Sequence, residues 1–302
     1  MALSISELEA LSSISIHDPI PADLLTRALA SPPFIPSNSI INIRDLGDAT
    51  AWLAAHVKRI FDLRKAPERA SNPSPVVPGV ENVWYEQEGI YTPGCLEDFA
   101  IGEGEVGWKR QYLATTQRYK PSIRAVLEHV RDRPTEPFLF HCTAGKDRTA
   151  VVAGLLQSLA GTATDRVVFD YMLSRIGIEP AREKLKAFLV AGLGEVNPET
   201  PGFWNIASLK PSYWAAFLEG LQEEYGGWDG YVTKGLGFSE EDLETIKKNL
   251  REKHLGYGRL LGYGRLLGYV RPLGYGGLWV FRLGYLDSGQ FKLHPLPETM
   301  QK

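Results

Sequence analysis

Nine consecutive residues, HCTAGKDRT at 141–149, restrict this chain more than any other stretch. They follow Phe138-Leu139-Phe140, a short apolar run after a proline that reads as a buried strand. They precede AVVAGLLQSLAG, which reads as a helix closed by Gly161. Upstream, Ile123, Val126, Leu127 and Val130 repeat at i, i+3, i+4, i+7 behind Pro121, the pattern of an amphipathic helix with proline in its first turn. Helix, buried strand, glycine-containing loop, helix is α/β grammar. It predicts a central, mostly parallel sheet flanked by helices.

The loop between strand and helix carries recognisable chemistry. Cys142 and Arg148 enclose Thr143, Ala144, Gly145, Lys146 and Asp147. A five-residue loop of this kind can curl until its backbone N–H groups converge, and the first helical turn adds unpaired donors and the positive end of its dipole. That is a cradle for a doubly charged oxyanion such as phosphate. Gly145 permits a backbone conformation that a side chain would hinder. The same donors stabilise a thiolate and make Cys142 a candidate nucleophile. Arg148 can hold two phosphate oxygens in a fork. Thr149 is placed to donate a hydrogen bond to the sulfur, His141 to orient the loop through the backbone, and Lys146 to add a second cation at the rim. Cys95, in YTPGC, lacks such a context and reads as structural or exposed.

The stretch His141 to Thr149 closely resembles the signature loop of the tyrosine/serine protein phosphatases of the IphP type, found in bacteria and fungi. Asn42-Ile43-Arg44-Asp45-Leu46-Gly47 resembles that family's Asn-x-Arg-Asp-Leu-Gly element, and Asp62-Leu63-Arg64 followed by Glu68 resembles its Asp-Leu-Arg…Glu strand end. Residues 227–250 resemble its C-terminal helices, so the likeness covers roughly residues 20–253. The chain departs from the pattern where Asp48 and Ala150 replace glycines. A family segment with a Tyr-Arg-Ser strand is not visible between Gly47 and Asp62, which leaves a sheet edge in question.

The resemblance implies a cysteine-dependent, dual-specificity-like phosphatase fold and a metal-free, cofactor-free reaction through a phosphocysteine intermediate. Phosphotyrosine is the implied substrate, with phosphoserine and phosphothreonine open. A phosphoinositide phosphatase is the alternative within enzymes, suggested by Lys146 as an extra cation. A non-catalytic module that recognises phosphorylated partners is the alternative of another class; intact Cys142 and Arg148 argue against it. The proton donor has three candidates. The resemblance marks Asp147 as functional, Asp62 ends the strand that should neighbour the loop's strand, and Asp98 lies in the glycine-containing CLEDFAIGEGE stretch.

The rest of the chain sets boundaries. Residues 1–20 read as an irregular N-terminal extension, 21–253 as the phosphatase domain, and 254–302 as a poorly ordered tail, because four hexamers such as LGYGRL fill 255–278. Ala49 to Val57 reads as a helix, Arg59 to Leu63 and Val83 to Tyr85 as strands. Trp214, Phe217, Leu218, Leu221 and Tyr225 share one helical face, and Ser239 reads as an N-cap with Asp242 three residues on. With 44% apolar and 23% charged residues, a packed core is within reach. A net charge of −3 provides no global field for nucleic acid. No apolar run approaches the roughly 18 residues of a membrane span, and the acidic N-terminus is unlike a signal peptide. Two cysteines suit a reducing compartment, which points to the cytoplasm. The six histidines are scattered, and no metal-ligand cluster is visible.

Overall fold

The computed structural model describes residues 3–31, 53–89, 96–193, 198–251 and 280–284. The Asn42–Gly47 element, Cys95 and most of the repeat tail lie outside these residues, as does the first part of the helix expected over 49–57; residues 53–56 are helical.

The sheet is parallel throughout, in the order β2-β1-β3-β4. Its strands are β1 (Arg59–Asp62), β2 (Glu81–Trp84), β3 (Phe138–Cys142) and β4 (Val280–Gly284). Asp62 is aligned with Trp84 on one side and His141 on the other, so β1 ends beside the start of the loop. All five residues of β3 are buried, as expected for an interior strand of a parallel sheet covered on both faces. β4 pairs with β3 along its whole length, from Phe138 with Val280 to Cys142 with Gly284. These five residues come from the stretch expected to be poorly ordered. They form the edge strand beside β3.

Helices cover the sheet. They are α1 (Ile5–Ser12), α2 (Ala22–Leu29), α3 (Ala66–Ser71), α4 (Leu96–Ala100), α5 (Glu105–Arg118), α6 (Lys120–Asp132), α7 (Arg148–Leu159), α8 (Thr164–Met172), α9 (Ser174–Ile178), α10 (Arg182–Leu193), α11 (Phe203–Ala207), α12 (Pro211–Tyr225) and α13 (Glu240–Arg251). The helix α7, which follows the loop, is buried nearly all round, consistent with its lack of a polar face. It is packed so closely that a Cβ on Gly154 would stand 2.3 Å from the Trp214 ring. Helix α13 starts at the expected capping box: the Asp242 amide donates to Ser239 Oγ at 3.0 Å and the Ser239 amide to Asp242 Oδ2 at 3.1 Å.

The N-terminal stretch differs from the irregular extension expected. Ser4 and Glu7 form a reciprocal capping box that starts α1. Leu3, Leu8, Leu11, Ile20 and Ala28 bury against Leu173 and Ile176 in a second, smaller core. Arg175, itself buried, donates to the carbonyls of Ile14, Ser15 and Asp18 and pairs with Glu179. The Ser-x-x-Glu spacing at 4–7 before Leu8 and Leu11 is the signal that predicts this helix.

Candidate active site

Strand β3 delivers Cys142 and helix α7 begins at Arg148, so residues 143–147 form the connecting loop. Gly145 has φ +66°, a left-handed conformation that disfavours any side chain there. Cys142 is buried and free, and Thr149 Oγ1, one residue into the helix, donates to its Sγ at 3.0 Å. The His141 ring is buried, with Nδ1 3.3 Å from the Cys142 carbonyl oxygen and Nε2 3.8 Å from Asp62 Oδ1. Burial lowers its pKa, against the opposing pull of Asp62, so the ring is neutral at pH 7.

Arg148 is held by a carboxylate to which sequence analysis assigned no role. Glu68, in α3, accepts from Arg148 Nη1 at 2.7 Å and Nη2 at 2.8 Å; it also accepts from the Thr143 hydroxyl. Nη1 donates further to the Leu63 carbonyl at 3.0 Å, and Nη2 reaches Thr143 Oγ1 at 3.4 Å. Burial raises the Glu68 pKa, but the hydrogen bonds and charge of Arg148 outweigh it and bring the value down to about 2. Burial works against the Arg148 charge, and the negative charges of Cys142 and Glu68 overcome it, so its pKa is raised. Tyr119, at the junction of α5 and α6, is buried in the same field. Burial raises its phenol pKa while the charge of Arg148 and a hydrogen bond from it oppose this.

The three carboxylate candidates separate clearly. Asp62 is 2% exposed and its oxygens are saturated: Arg64 donates through its amide, Nε and Nη2, Arg69 through Nε, and Ser74 through its hydroxyl, all within 3.1 Å. Burial raises its pKa, yet the Arg64 hydrogen bond and the nearby charges lower it far below the usual carboxylate range. With both oxygens engaged by Arg64, Arg69 and Ser74 and the side chain buried, Asp62 presents no free oxygen to a leaving group. Asp98 is clamped by Arg110 Nη1, 2.6 Å from each of its oxygens. Asp147 stands at the N-cap position of α7 without a side-chain capping bond; its side chain is partly exposed, and Oδ1 accepts from the Tyr112 hydroxyl at 3.2 Å.

Lys146 also differs from expectation. It is 7% exposed rather than at a solvated rim. Its Nζ lies 3.3 Å from the Ala207 carbonyl, 3.4 Å from that of Ser208, 3.5 Å from Asp147 Oδ1 and 4.7 Å from the centre of the Trp108 ring. Thr143 and Ala144 are partly buried in the loop. Among the described residues, no group of three or more His, Cys, Asp and Glu could hold a metal ion, and no helix is long and apolar enough to cross a membrane.

The sequence has counterparts. The family model described as the tyrosine phosphatase family matches residues 37–252. A tyrosine-protein phosphatase of Nostoc commune is 30% identical over 230 residues, covering 72% of this chain and 75% of the relative. A triple specificity protein phosphatase of Mycobacterium tuberculosis is 28% identical over 118 residues, covering 37% of this chain and 42% of the relative. The model match spans most of the chain and includes β1, β2, β3 and the loop from Cys142 to Arg148; the chain belongs to the tyrosine phosphatase family.

Proposed function

We propose that this tyrosine phosphatase hydrolyses phosphotyrosine in proteins through a phosphocysteine intermediate on Cys142. The observation that carries the reading is the Thr149 hydroxyl, 3.0 Å from Cys142 Sγ, in a loop whose other end is Arg148. Backbone N–H groups of Thr143, Ala144, Gly145 and Lys146, with Arg148, bind the phosphoryl oxygens. The Cys142 thiolate attacks phosphorus, and the bond from phosphorus to the tyrosine oxygen breaks. Asp147 passes its proton to that oxygen, so a neutral phenol leaves. Water then attacks the phosphocysteine, and Asp147, now a carboxylate, takes a proton from it. The sulfur leaves as a thiolate, stabilised by the hydrogen bond from Thr149.

Glu68 keeps the guanidinium plane fixed, so Arg148 meets the phosphate already oriented. Phosphoserine and phosphothreonine need the proton more than phosphotyrosine does, because an alkoxide is a poorer leaving group. A relative that carries triple specificity in its name favours this wider reading as the second one. The position of Lys146 against the Ala207 and Ser208 carbonyls lends no support to a phosphoinositide. A reactive thiolate needs a reducing compartment, so we assign the activity to the cytoplasm.

The test is turnover by Cys142→Ser on a panel of phosphotyrosine peptide, phosphoserine peptide and phosphoinositides. Turnover is expected to vanish while binding of vanadate, a phosphate mimic, persists. Residual activity above about 1% of wild type would sink the covalent mechanism. A phosphoinositide preference in the wild type would overturn the assignment to protein substrates.

A further inference from the structure

The loop aspartate is held by a buried pair of tyrosines from two other helices. Tyr112, in α5, is fully buried, and Tyr171, in α8, is 1% exposed. Their hydroxyls lie 2.9 Å apart, and that of Tyr112 lies 3.2 Å from Asp147 Oδ1. Each phenol has one proton, and an ionised carboxylate can only accept. Tyr112 therefore gives its proton to Asp147, and Tyr171 gives its own to the Tyr112 oxygen. A donor chain of this kind strengthens its terminal bond.

Packing leaves the pair little freedom. The Tyr112 ring lies 4.8 Å from that of Trp108 and 5.5 Å from that of Phe217, while Tyr171 lies 5.2 Å from Trp214. Burial, then the proximity of Tyr171 and Asp147, pushes the Tyr112 phenol well above its ordinary pKa, so it stays a donor at any working pH. Lys146 Nζ approaches the same Oδ1, at 3.5 Å. Oδ2 forms no hydrogen bond among the described residues.

We propose that Tyr112, backed by Tyr171, is a positioning residue that binds Asp147 Oδ1 and thereby leaves Oδ2 as the oxygen that carries and delivers the proton. The proposal rests on the reading of Asp147 as the general acid. A protonated carboxyl still accepts at Oδ1, so the Tyr112 bond survives both protonation states. It strengthens as negative charge develops on Asp147 during proton transfer, and so acts where the transition state differs from the ground state.

The experiment compares phenyl phosphate, whose leaving group needs a proton, with para-nitrophenyl phosphate, which needs far less help. Tyr112→Phe keeps the ring and removes the donor. It is expected to lower kcat on phenyl phosphate about tenfold and on para-nitrophenyl phosphate less than about twofold, with KM unchanged. Tyr171→Phe shifts kcat in the same direction by a smaller factor, and carries the test should Tyr112→Phe fail to fold. In an Asp147→Asn background neither substitution has a further effect, because the proton they position is gone.

Equal losses on both substrates, or losses that persist in the Asp147→Asn background, would overturn the positioning role and leave a packing role. The acid reading fails separately: Asp147→Asn itself would then slow both substrates equally. A leaving-group-dependent loss in Asp147→Asn, with no loss in Tyr112→Phe or Tyr171→Phe, defeats the positioning role alone.

Discussion

Two arginine–carboxylate pairs stand close together in the chain's first half-sheet, and they do different work. Asp62 and Arg64 are almost completely buried, with 1% and 2% side-chain exposure, and every polar atom of the pair is engaged within β1 and the segment after it. Glu68 and Arg148 are 16% and 17% exposed and join α3 to the loop helix. The first pair is shut away from solvent; the second is a charge held in place within reach of it. Burial and a displaced pKa occur in both, so neither marks the functional pair. Its place at the end of the loop that begins at Cys142 does.

The largest effect separates the pairs by activity. Arg148→Lys keeps the charge and loses the planar guanidinium that Glu68 holds in place, and is expected to reduce kcat about 10²–10³-fold, the range for losing a preorganised donor to a developing charge. Its melting temperature should change less than its activity, since the ammonium can still pair with Glu68. Steady-state kinetics and a thermal scan check both; activity near wild type would make the Arg148 guanidinium dispensable.

Next is a stability effect with the opposite signature. Asp62→Asn leaves Arg64 buried without its counter-charge and is expected to cost about 3–5 kcal/mol of unfolding free energy. The folded fraction should retain its preference between phenyl and para-nitrophenyl phosphate. Denaturant unfolding reads the first quantity. A selective loss on phenyl phosphate would restore Asp62 as a proton donor.

Acid sharpens the contrast further. Both carboxylates have folded pKa values below their unfolded ones, so each contributes stability that is present above the unfolded value near 4 and lost as pH falls through the folded value. For Glu68 that window closes at about 2, and for Asp62 it lies lower. Glu68→Gln should therefore be less stable than wild type at pH 6, with the difference disappearing as pH approaches 2. A difference that is constant with pH would mean that the Glu68 charge contributes nothing.

The smallest effect concerns the sheet edge. Removing residues 255–302 deletes β4 and bares the edge of β3, the strand that delivers Cys142. A fall in melting temperature of about 2–4 °C for each kcal/mol lost is the readout. An unchanged melting temperature would mean that the tail adds nothing to the sheet.

The loop was legible because its determinants are local. An apolar strand, five loop residues with a glycine and a helix lie within one short run, and each local preference agrees with the others. The capping boxes at Ser4 and Ser239 are local signals of the same kind. The parallel sheet was equally legible in outline, since a buried strand between helices admits few arrangements.

What tertiary structure decided is everything that joins distant parts of the chain. Glu68 reaches Arg148 across 80 residues, Tyr112 reaches Asp147 across 35, and Tyr171 reaches Tyr112 across 59. No period or spacing marks such pairs, because they meet only when helices from separate segments pack on one sheet. The same holds for Asp62 and Lys146. Sequence shows a carboxylate at a strand end and a lysine in an anion loop. Whether the first is free to carry a proton, and whether the second faces the rim, depends on which groups fill the space around them. The chemistry of the loop was written in consecutive residues; the division of labour among its charges was set by packing.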